Sequence, residues 1–186
     1  MANCFCVVVT YNPDVKHFTS ALRSIVSNDV GVVVVDNGSF NQSEIEQLVN
    51  DNGGLFIGLE ENLGIAAAQN KGIVSALSKG CDYIWLSDQD TIYPVSYLNK
   101  MIVFLDVCKK SSCRSTGIVV PSFIDTNRDE LQPMIVLRPF SKKIIPKSGA
   151  NLVSHAIASG MVIDVGVFEL IGLKDERLFI DLVDFD

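Results

Sequence analysis

Gly31-Val32-Val33-Val34-Val35-Asp36-Asn37-Gly38-Ser39 sets an unbroken valine run against a polar turn. Four consecutive β-branched residues leave no polar face for solvent, so Gly31 to Val35 predicts a strand buried on both sides, the habit of parallel sheets. Upstream, the apolar run Cys4 to Val9 has the same character. Between the two, after Asn12-Pro13-Asp14, the residues Val15, Phe18, Leu22, Ile25 and Val26 recur at helical spacing and make one apolar stripe. Downstream, Ile45, Leu48 and Val49 mark a second helix that ends at Asn52-Gly53-Gly54, and Leu55 to Ile57 a short third strand. An alanine-rich helix follows over Leu63 to Ser78, then a fourth strand over Tyr83 to Leu86 that stops at Asp88. Strand and helix in strict alternation predict an open parallel sheet with right-handed crossovers.

The later half is less regular. A helix is expected over Pro94 to Lys110 and a strand over Gly117 to Val120. Asp125 to Lys147 is polar, carries Pro133, Pro139 and Pro146, and has one clear apolar run, Met134 to Leu137; it reads as an excursion over the rim of the sheet, a hairpin. Ala158 to Asp164 and Phe179 to Val183 are expected strands, with a short helix over Val165 to Ile171 between them. The chain stops on Leu182-Val183-Asp184-Phe185-Asp186, straight after an apolar stretch, and a domain shortened at its C-terminal side is the expectation.

With 186 residues the chain suits one or at most two domains on a prior of ~150 residues each. A hydrophobic fraction of 48% supports a full core, and 15 Lys plus Arg against 22 Asp plus Glu, a net charge of −7, disfavour a nucleic-acid surface. The five cysteines follow no metal-ligand spacing; Cys4 and Cys6 point to one face of a strand, where a bridge between them would be strained. A reducing, cytoplasmic compartment is expected. No apolar stretch approaches the ~20 residues that span a bilayer, so no transmembrane segment is expected; peripheral attachment at the inner face of the plasma membrane stays open.

Ligands of open α/β sheets bind beyond the carboxyl ends of the strands. Three polar groups fall there: Thr10-Tyr11-Asn12 after the first strand, Asp36-Asn37-Gly38-Ser39 after the second and Ser87-Asp88-Gln89-Asp90-Thr91 after the fourth. Each alone also suits turn or cap chemistry. Together, Asp36, Asp88 and Asp90 would set like charges side by side, which is unfavourable unless a cation or hydrogen-bond donors compensate. Two aspartates one residue apart on a turn offer hard oxygen ligands to Mg²⁺ or Mn²⁺, whose shell a diphosphate would complete. His17 and His155 make no zinc set. No Gly-x-x-x-x-Gly-Lys and no Gly-x-Gly-x-x-Gly follows the first strand, so a nucleotide would be held by other means: Tyr11 stacking on a base, Asp36 accepting from its imide or amide nitrogen.

Val7-Val8-Val9-Thr10-Tyr11-Asn12, Val34-Val35-Asp36-Asn37-Gly38-Ser39, Asn62-Leu63-Gly64 through Asn70-Lys71-Gly72, and Asp88-Gln89-Asp90-Thr91 stand in an order and spacing that resembles family 2 glycosyltransferases. Asp88-Gln89-Asp90, with the later Ala158-Ser159-Gly160 and the run Phe179 to Asp186, is similar to the bacterial rhamnosyltransferase branch. The resemblance implies a GT-A fold, a Rossmann-like three-layer α/β/α sandwich with a mostly parallel central sheet. It implies a single catalytic domain over 1–186, with a nucleotide-binding half, 1–91, and an acceptor-side half, 92–186. The nucleotide-binding set it implies is Thr10, Tyr11, Asn12, Asp36, Asn37, Asn62, Asn70 and Asp88, with Asp88 and Asp90 holding the metal. Asp184 matches the aspartate of the family's acidic motif and is the expected general base, with Asp181 and Asp186 as alternatives; Val183 stands where the family carries a glutamate.

The activity so implied is an inverting transfer of a sugar, rhamnose by branch resemblance, from a dTDP or UDP sugar to a saccharide or lipid-linked saccharide in cell-surface polysaccharide or lipopolysaccharide synthesis. A carboxylate takes the proton of the attacking hydroxyl and a metal stabilises the departing diphosphate. Two other readings stand beside it: a metal-dependent nucleotidyltransferase, whose glycine-rich basic loop is missing here, and a non-catalytic nucleotide-sugar binding module.

Overall fold

Val32 to Val35 are all buried in the middle of a strand, β2 (Gly31–Asp36), as their unbroken apolar run requires. In the computed structural model, which describes residues 3–111, 116–125, 130–137, 141–145 and 149–179, β2 lies between β1 (Cys4–Thr10) and β3 (Leu55–Gly58). On the other side of β1 runs β4 (Tyr83–Ser87). All three pairings are parallel, and the register sets Thr10 opposite Asp36 and Val8 opposite Ser87.

The crossovers are α1 (Val15–Val26), α2 (Gln42–Asp51) and α3 (Ile65–Leu77), and α4 (Tyr97–Ser111) follows β4. Side chains alternate across each strand and make two cores. Cys4, Cys6, Val8, Val34 and Trp85 face α1, α2 and α4, meeting Phe18, Leu22, Ile25, Ile45, Val49 and Leu105. Val7, Val33, Val35, Ile84 and Leu86 face Ala68, Ile73 and Ala76 of α3. The result is the three-layer α/β/α sandwich. A Cβ at Gly72 would collide with Val7, so the small residues of α3 let the helix lie close on the sheet.

The later elements among the described residues are β5 (Ile118–Val119), β6 (Ile124–Asp125), β7 (Glu130–Leu131), β8 (Met134–Leu137), β9 (Ser141–Ile144), β10 (Val162–Asp164) and α5 (Gly166–Ile171). The main sheet runs β3-β2-β1-β4-β10-β5, with β10 antiparallel to both of its neighbours. The expected rim excursion is two hairpins, β6 with β7 and β8 with β9.

Several boundaries differ from the sequence expectation, among them three in the later half. The helix expected from Pro94 begins at Tyr97, because Ser96 has φ +67°, outside the right-handed helical region. The strand expected over Ala158 to Asp164 pairs only from Val162; Ala158 to Met161 is a tight turn closed by Met161 N–H donating to the Ala158 carbonyl at 2.9 Å. Phe179 lies in a bend rather than a strand, and residues 180–183 fall outside the described residues. No helix among the described residues is long and apolar enough to cross a membrane.

Candidate functional site

The chain builds β1, β2 and β3 in one direction, then returns to add β4 on the opposite side of β1. The loops after β1 and β4 therefore leave neighbouring strands at a topological switch point, the place where open α/β sheets bind ligands.

The carboxylate of Asp36, at the end of β2, is fully buried and accepts four hydrogen bonds. Thr10 Oγ1 and Ser39 Oγ donate to Oδ2 at 2.8 and 2.6 Å; Ser39 N–H and Gln42 Nε2 donate to Oδ1 at 2.8 and 3.1 Å. All four lone-pair positions are filled from within the chain, which compensates a charge that would otherwise be prohibitive to bury. Ser39 Oγ also accepts from Asn12 N–H at 2.8 Å, and Asn12 Oδ1 accepts from Phe40 N–H at 3.0 Å. Thr10, Asn12 and Asp36 thus form one network that ties the β1 loop to the β2 loop.

Asn37 and Asn62 form a second network. Asn37 Nδ2 donates to Asn62 Oδ1 at 2.8 Å, Asn37 Oδ1 accepts from Leu63 N–H at 2.9 Å, and Asn62 Oδ1 accepts from Gly64 N–H at 2.9 Å. These bonds seat the N-terminus of α3 on the β2 loop. Gly64 has φ +86°, and a Cβ there would lie 2.6 Å from the carbonyl oxygen of Phe179, which accepts from Ile65 N–H at 2.7 Å. Asn70, also buried, faces the same late segment: Nδ2 donates to the Lys174 carbonyl at 2.8 Å and to Glu176 at 3.0 Å, while Oδ1 accepts from Lys174 N–H at 3.0 Å.

After β4 comes an exposed turn with Asp88 and Asp90 at its ends. Gln89 Oε1 reaches back to accept from Tyr11 N–H at 2.9 Å, and the Tyr11 side chain is half exposed beside it. Asp88 N–H donates to Ser159 Oγ at 3.2 Å. Asp90 makes no hydrogen bond among the described residues, and no three His, Cys, Asp or Glu side chains gather among them as a metal cage. Two exposed carboxylates on a turn fit a Mg²⁺ or Mn²⁺ site of the sort that phosphate oxygens complete, and not one closed by protein ligands alone.

Residues 5–172 match the family model described as Glycosyl transferase family 2. The chain belongs to that family. It is 33% identical to dTDP-rhamnosyl transferase RfbF of Shigella flexneri over 98% of this chain and 61% of that protein. It is 26% identical to galactofuranosyltransferase GlfT1 of Mycobacterium tuberculosis over 95% of this chain and 60% of that one. The chain spans about three fifths of the length of these curated relatives. Among solved structures, residues 1–349 of S. aureus TarS in complex with UDP superpose with a TM-score of 0.72 at 17% identity, covering 98% of this chain and 53% of that one. The same region in complex with UDP-GlcNAc gives 0.67. The fold expected from the resemblance, GT-A with a mostly parallel central sheet, is the fold found.

In this family 2 chain the expected site residues therefore fall into three groups and one remainder. Thr10, Asn12 and Asp36 interlock; Asn37 and Asn62 interlock beside them; Tyr11, Asp88 and Asp90 stand on the open rim; and Asn70 lies on the α3 face turned to Lys174 and Glu176. Asp184, with Asp181 and Asp186, lies outside the described residues. Sequence reasoning assigned no role to Ser39, Gln42, Gln89 or Ser159. Gln42 opens α2 six residues after Asp36, a spacing that marks it only once the turn is known. A cavity of about 1200 Å³ bordered by Phe104, Lys109, Leu152 and Leu170 shares none of these rim residues.

Proposed function

We propose that the chain carries the donor-binding part of an inverting glycosyltransferase that moves a sugar from a nucleoside diphosphate to an acceptor hydroxyl. The observation that carries this reading is the hydrogen bond from Tyr11 N–H to Gln89, which holds the loops of β1 and β4 side by side at the switch point in a family 2 chain. Tyr11 is exposed enough to stack on a base, and Asp88 and Asp90 would meet ribose and diphosphate. Asp36 serves through the loops it ties together, its own acceptor positions being filled. A divalent cation held at Asp88 and Asp90 would supply Lewis-acid stabilisation of the departing diphosphate.

The proton of the acceptor hydroxyl goes to a carboxylate, for which Asp184 is our candidate in the acidic run that follows Phe179. The docking of Phe179 on Ile65 supports this, because it brings the chain to the carboxyl rim just before that run. Base and leaving group on opposite sides of the sugar give inversion. Identity to a dTDP-rhamnosyl transferase over nearly the whole chain favours rhamnose from dTDP-rhamnose as the sugar moved. The acceptor is then a saccharide or lipid-linked saccharide of the bacterial surface, met at the inner face of the plasma membrane.

Titration calorimetry with dTDP, UDP and GDP, with and without Mn²⁺, tests the reading. Metal-enhanced binding of dTDP or UDP is expected; no binding of any of the three would overturn it. Release of sugar from dTDP-rhamnose, beside UDP-galactofuranose as a control, separates an enzyme from a binding module.

A further inference from the structure

The turn from Asp88 to Asp90 is held from a segment 71 residues further along the chain. Ser159 Oγ, buried, accepts from Asp88 N–H at 3.2 Å and lies 2.8 Å from Thr91 Oγ1 and 3.1 Å from the Tyr93 hydroxyl. Tyr93 donates to Ser87 Oγ at 3.0 Å, and Ser87 Oγ donates to the Asp88 carbonyl at 2.9 Å.

Each hydroxyl has one proton and two lone pairs, and that count settles the directions. The Tyr93 proton is committed to Ser87. The Ser159 proton therefore goes to Tyr93, and Thr91 donates to Ser159. The circuit closes on itself: Asp88 N–H to Ser159, Ser159 to Tyr93, Tyr93 to Ser87, Ser87 to the Asp88 carbonyl. Both backbone polar groups of Asp88 are held by it, and Thr91 is pinned to the same oxygen, so the Gln89–Asp90 stretch is anchored at both ends. Burial pushes the Tyr93 phenol up to about 12, against the opposing hydrogen bonds of Ser159 and Ser87, so it remains a donor at neutral pH.

Local geometry explains how Ser159 arrives there. Gly160 has φ +86° in the turn closed by Met161 N–H and the Ala158 carbonyl, as the third residue of a type II turn requires. A Cβ at Gly160 would lie 2.7 Å from Pro121 and 2.8 Å from the Tyr97 hydroxyl, which donates to the Gly160 carbonyl at 2.5 Å. Gly160 N–H donates to the Leu86 carbonyl at 2.8 Å. The turn is thereby locked to β4 with the Ser159 hydroxyl at its tip.

We propose that Ser159 is a positioning residue for the diphosphate- and cation-binding turn: it sets the backbone at Asp88 and so the spacing and aim of the Asp88 and Asp90 carboxylates. This rests on the role given to that turn under Proposed function. Ser159→Ala removes the acceptor of Asp88 N–H and Thr91 and the donor to Tyr93. Tyr93→Phe opens the circuit at its far side and keeps the ring against Trp85 and Tyr97, whose centroids lie 4.6 and 4.8 Å away.

The test is calorimetry with UDP as probe, in Mn²⁺ and in EDTA, below the melting temperature of every variant. In Mn²⁺, each variant is expected to bind UDP about tenfold more weakly than the unmodified chain, as loss of a supporting contact to a metal ligand does. In EDTA, affinity is expected within twofold of the unmodified chain. The double variant is expected to be no weaker than either single one, since each opens the same circuit. Unchanged affinity in Mn²⁺ in a folded variant overturns the proposal, and so does an equal loss in Mn²⁺ and EDTA. If Ser159→Ala fails to fold, Tyr93→Phe carries the test. An unmodified chain that binds no UDP in Mn²⁺ overturns the reading of the turn itself, a result distinct from the others.

Discussion

Gln89 Oε1 accepts a hydrogen bond from Tyr11 N–H across a sequence separation of 78 residues, and so couples the exits of β1 and β4. The Tyr11 amide belongs to no ladder pair, since the register ends at Thr10 opposite Asp36. Gln89→Ala leaves that amide to water. The expected cost is about 1 kcal/mol, the net worth of one such bond, with faster hydrogen exchange at the Tyr11 amide and weaker UDP binding. Unchanged Tyr11 protection would show that the contact does not hold in solution.

Asp36 separates a structural carboxylate from a ligand-reading one. An amide at this position turns its NH₂ toward Thr10 and Ser39, whose hydroxyls can reverse and accept, while its oxygen still serves Ser39 N–H and Gln42. Asp36→Asn is therefore expected to cost about 1 kcal/mol, and Asp36→Ala, which leaves four donors facing nothing, about 3 to 4 kcal/mol. Urea unfolding midpoints check the pair. A midpoint unmoved in Asp36→Ala would mean that the loops do not depend on this carboxylate.

Asp90 is exposed and forms no internal bond among the described residues, so Asp90→Asn should shift stability by no more than about 0.5 kcal/mol. Metal-dependent binding of UDP and metal-dependent turnover should both be lost. Transfer at the unmodified rate in Asp90→Asn would refute a metal role for this turn.

The contrast between Asp36 and Asp90 shows what a sequence can and cannot display. Both are acids at the end of a valine- or leucine-bearing strand, and their positions on the rim follow from local pattern. Runs such as Val32 to Val35 declare their own burial, and the spacing of Phe18, Leu22 and Ile25 declares a helix face. One of the four bonds to Asp36 comes from Thr10, 26 residues earlier, and what braces Asp88 comes from Ser159. Such partners carry no local signature. The same holds for β10, whose three residues are too few to reveal that they run antiparallel to β4.

A clip at the other end of the sheet sets a pH dependence. Partial burial opposes ionisation of Asp164, but its bonds from Lys109 and from Gly166 N–H, with the Lys109 charge, outweigh it and hold the carboxyl below the usual range. Partial burial likewise disfavours charge on Lys109, and Asp164 more than offsets it, raising the ammonium. A depressed carboxyl stabilises the fold above its unfolded pKa of about 4 and loses that contribution as pH falls through its folded value; a raised ammonium does so below about 10.4 and loses it as pH rises through its folded value. Between these limits the contribution is flat. Both groups are about a third exposed, so Lys109→Met should cost about 1 kcal/mol or less at pH 7. The gap in melting temperature between variant and parent should close as pH drops below about 4; parallel curves would remove the clip from the acid limb.

Asn70 and Gly64 clasp one late segment at two points, 174–176 through the Asn70 amide and Phe179 through the backbone of Ile65. Every hydrogen-bonding atom of the Asn70 amide is engaged there, so its removal should act on that segment first. Asn70→Ala deletes three bonds at a buried site and is expected to cost about 2 kcal/mol, with hydrogen exchange over residues 174–179 faster by at least about tenfold while α1 and β1 keep their protection. Gly64→Ala attacks the other end, forcing an alanine into φ +86° and a Cβ against Phe179; it should loosen the same residues. If the clasp serves to hold the segment that leads to the acidic run, both variants should lower transfer more than they lower UDP affinity. A fall in UDP affinity with unchanged exchange over 174–179 would instead make Asn70 a direct nucleotide contact.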